Sequence, residues 1–484
     1  MTDTDIPLEA IAAKVGTPFF LYNAAILRER MADLAQLTRA EGVQARYAMK
    51  ANSNAAILKE ALAAGLWIDA VSGNEVLRAK RAGFAMGAEP PVVMLTCDVF
   101  RDNGLAVVVQ EGVMPNVGSP GQIRELAEAG YRGPIAMRVN PGFGHGHVQA
   151  CDTGGPSSKH GIWHEDLDGP IAMARDAGLR IEGLHAHVGT GPQIREFDEN
   201  MRKLADVFGA LLPRFPHAVA VNFGGGIPHP YRPNAERFEL EPYRAFLSHA
   251  QGMLSKLAKR SVRVEIEPGR YPVAGMASLV ARVKEVKTTR SNDKGPGHAF
   301  IMVDAGFNDL IRPAMYGSYH HISVVGAGAG REPEPFAVAG PLCESGDVFT
   351  RDDQEVIQPR MLPRPEPGDL LVLHDAGAYG AARLEIQAKE ASMSVKVRIP
   401  TPLRGLTNDV DVVAGEGGTL GVVIDGLESS YPGMKDRICD DTGEIRRFVN
   451  VYINGEDVRF LEGLESVLKA GDEISIVPAV AGGR

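Results

Sequence analysis

The sequence predicts an α/β protein: a (β/α)8 TIM-like barrel with an attached β domain, followed by a smaller separate domain. Three observations predict it. From about Arg46 to Pro268, short apolar runs alternate with amphipathic stretches, the pattern of a parallel sheet with crossover helices. The polar and glycine-rich ends of those runs carry the unusual residues, and in barrels the chemistry sits at the C-terminal strand ends. Near Met393 the texture restarts, as if a second protein began there.

The elements follow in order. TPFFLYN near the N-terminus reads as a strand. ARYAMKA, WIDAVS, VVMLT, PIAMRVN, IEGLHAHVG, AVAVNFGGG and VRVEIEPGR read as buried strands, with helix-like stretches such as NAAILKEALAAG between them. The count fits a closed barrel over 26–270. From Tyr271 to about Tyr379 the runs VAGMASLVARVKEVKTT, HAFIMVDAG, PFAVAGPLCESGDVF and DLLVLHDAGAYG look like strands linked by turns, and PRPEPGD is a loop. A β domain built from 1–25 and 271–392 is therefore expected, ending in a short helix over ARLEIQAKEAS. The remaining stretch, 393–484, has the order strand, strand, helix (TLGVVIDGLESSY), further strands (RRFVNVYINGEDVRF) and a last strand, DEISIVPAV.

A chain of 484 residues suggests two or three domains and can bury a large core without disulfides or structural metal. The formal charge of −10 argues against nucleic-acid binding, which needs a basic face. Cys97, Cys151, Cys343 and Cys439 are far apart and form no Cys-x-x-Cys pair, so reduced thiols are expected rather than a zinc site or a disulfide framework. MTDTDIPLEAIAAK has no basic segment followed by an apolar one, and no run is long enough to span a membrane. A cytoplasmic protein with no metal is expected.

Lys50 closes the apolar run RYAMK. Alone it reads as a snorkelling surface lysine; in a desolvated pocket it reads as a Schiff-base former. Gly224 to Gly226 follow a strand, where bare backbone either turns tightly or approaches a phosphate. EPGR sets Glu267 and Arg270 just past the end of VRVEI, as a surface ion pair or as parts of a site. His185 and His187 alternate, so on a strand they would share a face. With no third ligand apparent, core histidines are the ordinary alternative to a metal site.

RYAMKAN, NPGFGHGHVQACDTGGPSSKHGIW, EIEPGR, DAGFNDLIRPAMYGSYHH, GPLCESGDVF and HDAGAYG, in that order from about Pro18 to Tyr379, carry a resemblance to one family. The chain resembles the alanine-racemase-like (fold type III) decarboxylases, and within them is most similar to the bacterial diaminopimelate decarboxylases. The resemblance implies that Lys50 carries pyridoxal 5'-phosphate as a Schiff base. His187 would stack on the pyridine ring, supported by Asp69, Glu75 and Arg138. Thr190, Gly225, Gly226 and Arg270 would hold the phosphate, with Tyr379 closing over it. Glu267 would face the pyridine nitrogen, which suits an electron sink for a carbanion. Arg312 and Tyr316, with Arg270 and Tyr379 nearby, would bind the amino-acid substrate. Cys343 and Glu344 would reach the neighbouring subunit's site, so a homodimer is implied, with Cys343 as proton donor and Glu344 facing a distal ammonium. The implied reaction is decarboxylation of meso-diaminopimelate to L-lysine.

The chain leaves this pattern a few residues beyond Tyr379, where ARLEIQAKEAS and Met393 replace the family's final segment. The stretch 393–484 resembles the ubiquitin-like sulfur carriers of molybdopterin and thiamine biosynthesis, on its strand–strand–helix–strand order, NVYINGED and the Gly482–Gly483 pair. That resemblance implies a β-grasp fold whose terminal glycine is activated by a partner enzyme, once Arg484 is removed. Two other readings stand beside the leading one: a decarboxylase of a related amino acid in a sulfur-dependent pathway, and a catalytically weak scaffold presenting the carrier.

Overall fold

The computed structural model describes residues 6–144, 146, 152–191, 193–293, 295–326, 331–380, 394–407, 409–440, 442–446, 449–468 and 471–478. The chain divides into two compact units, residues 1–382 and 383–484. The helix expected over ARLEIQAKEAS lies outside the described residues, as does the Gly482–Gly483 terminus.

The first unit opens with helix Leu8–Val15 and strand β1 (Phe19–Tyr22). Helix Ala24–Leu37 follows, capped by Asn23, whose side chain accepts from the N–H groups of Ala25 and Ile26. It buries Leu27, Met31, Leu34 and Leu37, one stripe at helical spacing. The parallel barrel strands then begin: β2 (Val43–Ala48), β3 (Trp67–Ala70), β4 (Val93–Cys97), β5 (Met114–Val117) and β6 (Pro134–Asn140). After β7 (Ile162–Trp163), a short strand beside β6, come β8 (Arg180–His185), β9 (Ala220–Asn222) and β10 (Arg263–Ile266). Pairing of β5 with β6 and of β10 with β2 closes a ring of eight, the barrel expected from the alternating runs. Ser72 and Glu75 form a variant of the capping box at helix Gly73–Ala82, in which Glu75 reaches the residue before the N-cap. The Ser72 hydroxyl accepts from Glu75 N–H at 3.2 Å, and the Glu75 carboxylate accepts from Val71 N–H at 2.8 Å.

Charge sits inside the barrel, and it is paired. Arg46 on β2 and Glu265 on β10 are 1% and 2% exposed and meet at 2.6 Å. Glu265 also accepts from Arg263 at 2.8 Å, while both arginines lie over the Trp67 ring at 4.8 and 4.9 Å. Burial alone would push the Glu265 carboxyl up; Arg46 and Arg263 hold it below its ordinary value.

The second sheet gathers both flanks of the barrel, as the strand-like TPFFLYN suggested. Its long strand β11 (Ala277–Thr288) pairs antiparallel with β1 (Phe19 opposite Val280), and a register shift between Val283 and Glu285 turns its far half toward β12 (Ala299–Val303). The sheet is completed by β13 (Ile322–Val324), β14 (Pro333–Ala339), β15 (Arg360–Pro363) and β16 (Leu370–Leu373), in the order β13-β16-β11-β12-β14-β15. Leu279, Ala281, Ile301, Phe336, Val338, Leu371 and Leu373 form its core.

The second unit has its own core. Strands β17 (Ser394–Arg398), β18 (Val412–Glu416), β19 (Val449–Ile453), β20 (Glu456–Asp457) and β21 (Glu473–Pro478) form a sheet in the order β18-β17-β21-β19-β20, with β17 and β21 parallel. Helix Leu420–Ser430 buries Leu420, Val423, Ile424 and Leu427 in a core with Val395, Val397, Val451, Ile474 and Ile476. This is the expected β-grasp order, with an additional short helix, Met434–Ile438. Among the described residues, no helix is long and apolar enough to cross a membrane.

Candidate active site

The C-terminal strand ends of the barrel bring together Lys50, Asp69, Arg138, His185, His187, the Gly224–Gly226 run, Glu267 and Arg270. Lys50 lies in the single turn Met49–Ala51 that follows β2. That turn is tied down on all sides. Ala48 N–H donates to the Pro268 carbonyl at 3.2 Å, and Tyr379 N–H to the Ala51 carbonyl at 2.8 Å. The Asn52 amide donates to the Gly377 carbonyl at 3.1 Å. Three sequence motifs, RYAMKAN, EPGR and HDAGAYG, thus meet around one amine.

Lys50 Nζ is 3.4 Å from Asp69 Oδ2. Burial would draw the amine's pKa down, but Asp69, Tyr379 and Glu267 together hold it above its ordinary value. Asp69 is pushed up, by burial and by Glu267, against the pull of Lys50. Glu267 is 4% exposed. Its Oε2 accepts from His185 Nε2 at 2.9 Å and its Oε1 from the Asn222 amide at 2.7 Å. Burial opposes its charge, and the neighbouring His185, Lys50 and His187 overcome that and lower its pKa. Glu267 is therefore a carboxylate at neutral pH. His187 is the opposite case: burial, Lys50 and Arg138 drive its pKa well down, so the imidazole is neutral.

His185 ends β8 and His187 lies two residues on, just beyond it. His185 turns to Glu267, and His187 stands where the loops after β8 and β9 abut. A Cβ on Gly224 would come within 2.7 Å of His187 Cβ. Thr190 and Tyr316 are half-buried, and Arg312 is buried. Glu75 belongs to the capping box after β3. Cys343 and Glu344 are exposed, on the loop after β14. Asp347 fastens that loop, accepting from Leu342 N–H at 2.9 Å and from Phe307 N–H at 2.7 Å.

Sequence reasoning missed several neighbours. Asp98 accepts from His160 Nδ1, and Arg138 Nη1 lies 3.4 Å from that same nitrogen. Thr153 donates to the His187 carbonyl at 2.9 Å. Arg312 Nη1 donates to His320 Nε2 at 2.9 Å, and His320 Nδ1 donates to the His374 carbonyl at 2.8 Å. Burial and Arg312 lower the His320 pKa to about 3, so the ring is neutral and its tautomer is set by these two bonds. The Thr153 and His160 of DTGGPSSKHG and the HH of GSYHH were the available signals, but nothing in them names their partners.

The donor set fits a phosphorylated pyridine aldehyde. Asp69 Oδ1, His187 Nδ1 and Arg270 Nε are buried without a partner among the described residues. A Cβ on Gly225 would lie 2.6 Å from the Glu267 carbonyl and one on Gly226 2.9 Å from the Gly189 carbonyl, so the cradle exists only because these residues are bare. Bare backbone beside a guanidinium suits a phosphate, a half-buried amine suits an aldehyde, and a buried carboxylate suits a protonated ring nitrogen.

Comparison with known proteins agrees. Residues 25–274 match the family model described as pyridoxal-dependent decarboxylase, pyridoxal binding domain, and residues 397–483 match the ThiS family. The chain is 41% identical over 381 residues to diaminopimelate decarboxylase of Streptomyces coelicolor, covering 78% of this chain and 83% of that protein. It is 38% identical over 392 residues to the Escherichia coli K12 enzyme, covering 79% and 89%. A crystal structure of a diaminopimelate decarboxylase superposes with a TM-score of 0.71 at 37% identity, over 79% of this chain and 89% of that one. The Helicobacter pylori enzyme complexed with L-lysine gives 0.66 at 27% identity, over 78% and 90%. The cofactor of this site is pyridoxal phosphate, and the chain belongs to the diaminopimelate decarboxylase family of pyridoxal-dependent decarboxylases, with a ThiS-family β-grasp domain at its C-terminal end.

Proposed function

We propose that the chain decarboxylates meso-diaminopimelate to L-lysine, with pyridoxal phosphate bonded to Lys50. The observation that carries this reading is the convergence of Lys50, Glu267 and the Gly225–Gly226 cradle at one barrel mouth. When bound, the cofactor supplies an electron sink for the pair left behind as the carbon–carbon bond to the carboxylate breaks and carbon dioxide departs. Glu267, ionised and held by His185 and Asn222, keeps a proton on the ring nitrogen. Gly225, Gly226, Thr190 and Arg270 hold the phosphate, and Tyr379 covers it. Neutral His187 packs against the ring without adding a charge, with Asp69, Arg138 and Glu75 supporting that wall. Arg312 and Tyr316 bind a substrate carboxylate. Cys343 and Glu344, exposed on their loop, act across a homodimer, with Cys343 returning a proton to the carbon and Glu344 facing the distal ammonium. The described cysteines are free thiols, which supports a cytoplasmic setting.

The purified protein is expected to show a visible cofactor band and to release carbon dioxide from meso-diaminopimelate. A protein without the band and without release would refute the assignment.

A second activity is supported by the β-grasp sheet and the match over 397–483: we propose that the last domain carries sulfur on Gly483 after loss of Arg484. Intact mass after incubation with a carboxypeptidase, a carrier-activating enzyme, ATP and a sulfide-level sulfur donor should show the arginine lost and then, by way of an acyl-adenylate, one oxygen replaced by sulfur. A mass that never loses the arginine would rule this out.

A further inference from the structure

Five side chains of the first unit are in linked contact: Tyr379, Arg270, Tyr231, Arg312 and His320. Arg270 Cζ is 5.8 Å from the Tyr379 ring centroid and 5.9 Å from that of Tyr231. Arg312 Cζ is 4.7 Å from the Tyr231 centroid and extends these contacts through its hydrogen bond to His320. Tyr231 is braced from two further directions. The His320 ring meets it edge-on at 5.5 Å and the His229 ring at 4.8 Å, and His229 is itself bonded to Asp375 at 3.0 Å. These residues come from separate segments: Tyr231 from the loop after β9, Arg270 from the end of EPGR, Arg312 from the short helix Arg312–Tyr316 and Tyr379 from HDAGAYG.

Two guanidinium groups facing an empty space would repel each other. The Tyr231 ring lies within 6 Å of both guanidinium groups and attracts each through its quadrupole. Both arginines are thereby held at fixed positions on one rigid spacer, which has only two rotatable side-chain bonds. The Tyr231 hydroxyl has no hydrogen-bond partner among the described residues, so the spacing is assigned to the ring.

We infer that Tyr231 is a positioning residue that sets the separation of Arg270 and Arg312. It thereby sets the distance between the cofactor phosphate and the substrate carboxylate that the site accepts. The inference rests on the proposed roles of those two arginines. Tyr231→Leu removes the ring that both guanidinium groups pack against, leaving Arg312 its bond to His320; Tyr231→Phe keeps the ring and removes only the hydroxyl.

The test uses the full-length protein, with steady-state kinetics on meso-diaminopimelate and titration of the apo-protein with pyridoxal phosphate followed by visible absorption. Tyr231→Leu is expected to raise KM about tenfold and to weaken pyridoxal phosphate affinity about threefold or more, with kcat within about twofold. Tyr231→Phe is expected to restore both to within about twofold of the unmodified protein. A Leu variant with unchanged KM and cofactor affinity would overturn the inference. So would equal losses in Leu and Phe with a lowered Tm, which would mean a purely structural residue. An unmodified protein that takes up no pyridoxal phosphate and releases no carbon dioxide would instead bring down the roles proposed for the arginines, and this inference with them.

Discussion

Glu267 and His185 share a 2.9 Å hydrogen bond inside the barrel, with both side chains sealed from solvent. A carboxylate so placed cannot be hydrated, and it stays ionised because positive or donating groups surround it. Its charge is then available to a ring nitrogen. Glu267→Gln keeps the shape and removes the charge. The variant is expected to retain pyridoxal phosphate but to lose about two to three orders of magnitude in kcat, the scale of removing one electrostatic partner of a transition state. A kcat within threefold of the unmodified protein would contradict the role given to Glu267.

Lys50 beside Asp69 leads to a pH dependence. An ammonium cannot attack an aldehyde, and the neighbouring carboxylates raise the Lys50 pKa. The rate at which apo-protein captures pyridoxal phosphate should therefore climb as pH rises through the alkaline range. Removing one anion destabilises the ammonium and lowers its pKa, so Asp69→Asn should shift that profile toward lower pH. Stopped-flow visible absorption reads the rate; an unshifted or upward-shifted profile would show that Asp69 does not govern the amine.

Glu265 makes a stability claim. Its folded-state pKa is depressed by Arg46 and Arg263 against the opposing effect of burial. The stability it adds is therefore fully present above the unfolded carboxyl value and lost as pH falls through the folded one. Glu265→Gln leaves Arg46 buried without its counter-charge and should cost about 3–5 kcal/mol at pH 7. The gap to the unmodified protein should narrow on acidification, as measured by urea unfolding of the N-terminal unit at several pH values. A gap independent of pH would mean that the pair is not what is being lost.

Gly225→Ala puts a methyl group 2.6 Å from the Glu267 carbonyl. The backbone there must shift, at a cost of about 1–3 kcal/mol, and the cradle shifts with it. Lower pyridoxal phosphate affinity together with a lower Tm is expected. Unchanged affinity would mean that the phosphate sits elsewhere.

Much of this was legible in the sequence where one segment carried the whole signal. The alternation of apolar runs fixes a barrel because period and length are local properties, and TPFFLYN was visible as a strand before its partner Val280 was known. What stayed hidden were meetings between distant segments. His185 was an ordinary core histidine until Glu267, 82 residues away, stood beside it. Tyr231 carried no mark at all, since a lone tyrosine after a glycine run is read only by what packs on its faces. Glu75 shows the reverse: the Ser72-to-Glu75 spacing is a capping-box signal on sight, and the bond from Glu75 N–H to the Ser72 hydroxyl follows from that spacing alone.

Glu265 and Glu267 point to the same side of the barrel, two positions apart, and the Asn222 amide reaches both, at 3.5 and 2.7 Å. One acid holds the barrel together and the other serves its chemistry, so a change at position 222 is felt twice. Melting and turnover cannot drift independently there. A substitution tolerated by one property is vetoed by the other, which leaves this asparagine less freedom to vary than its neutral side chain would suggest.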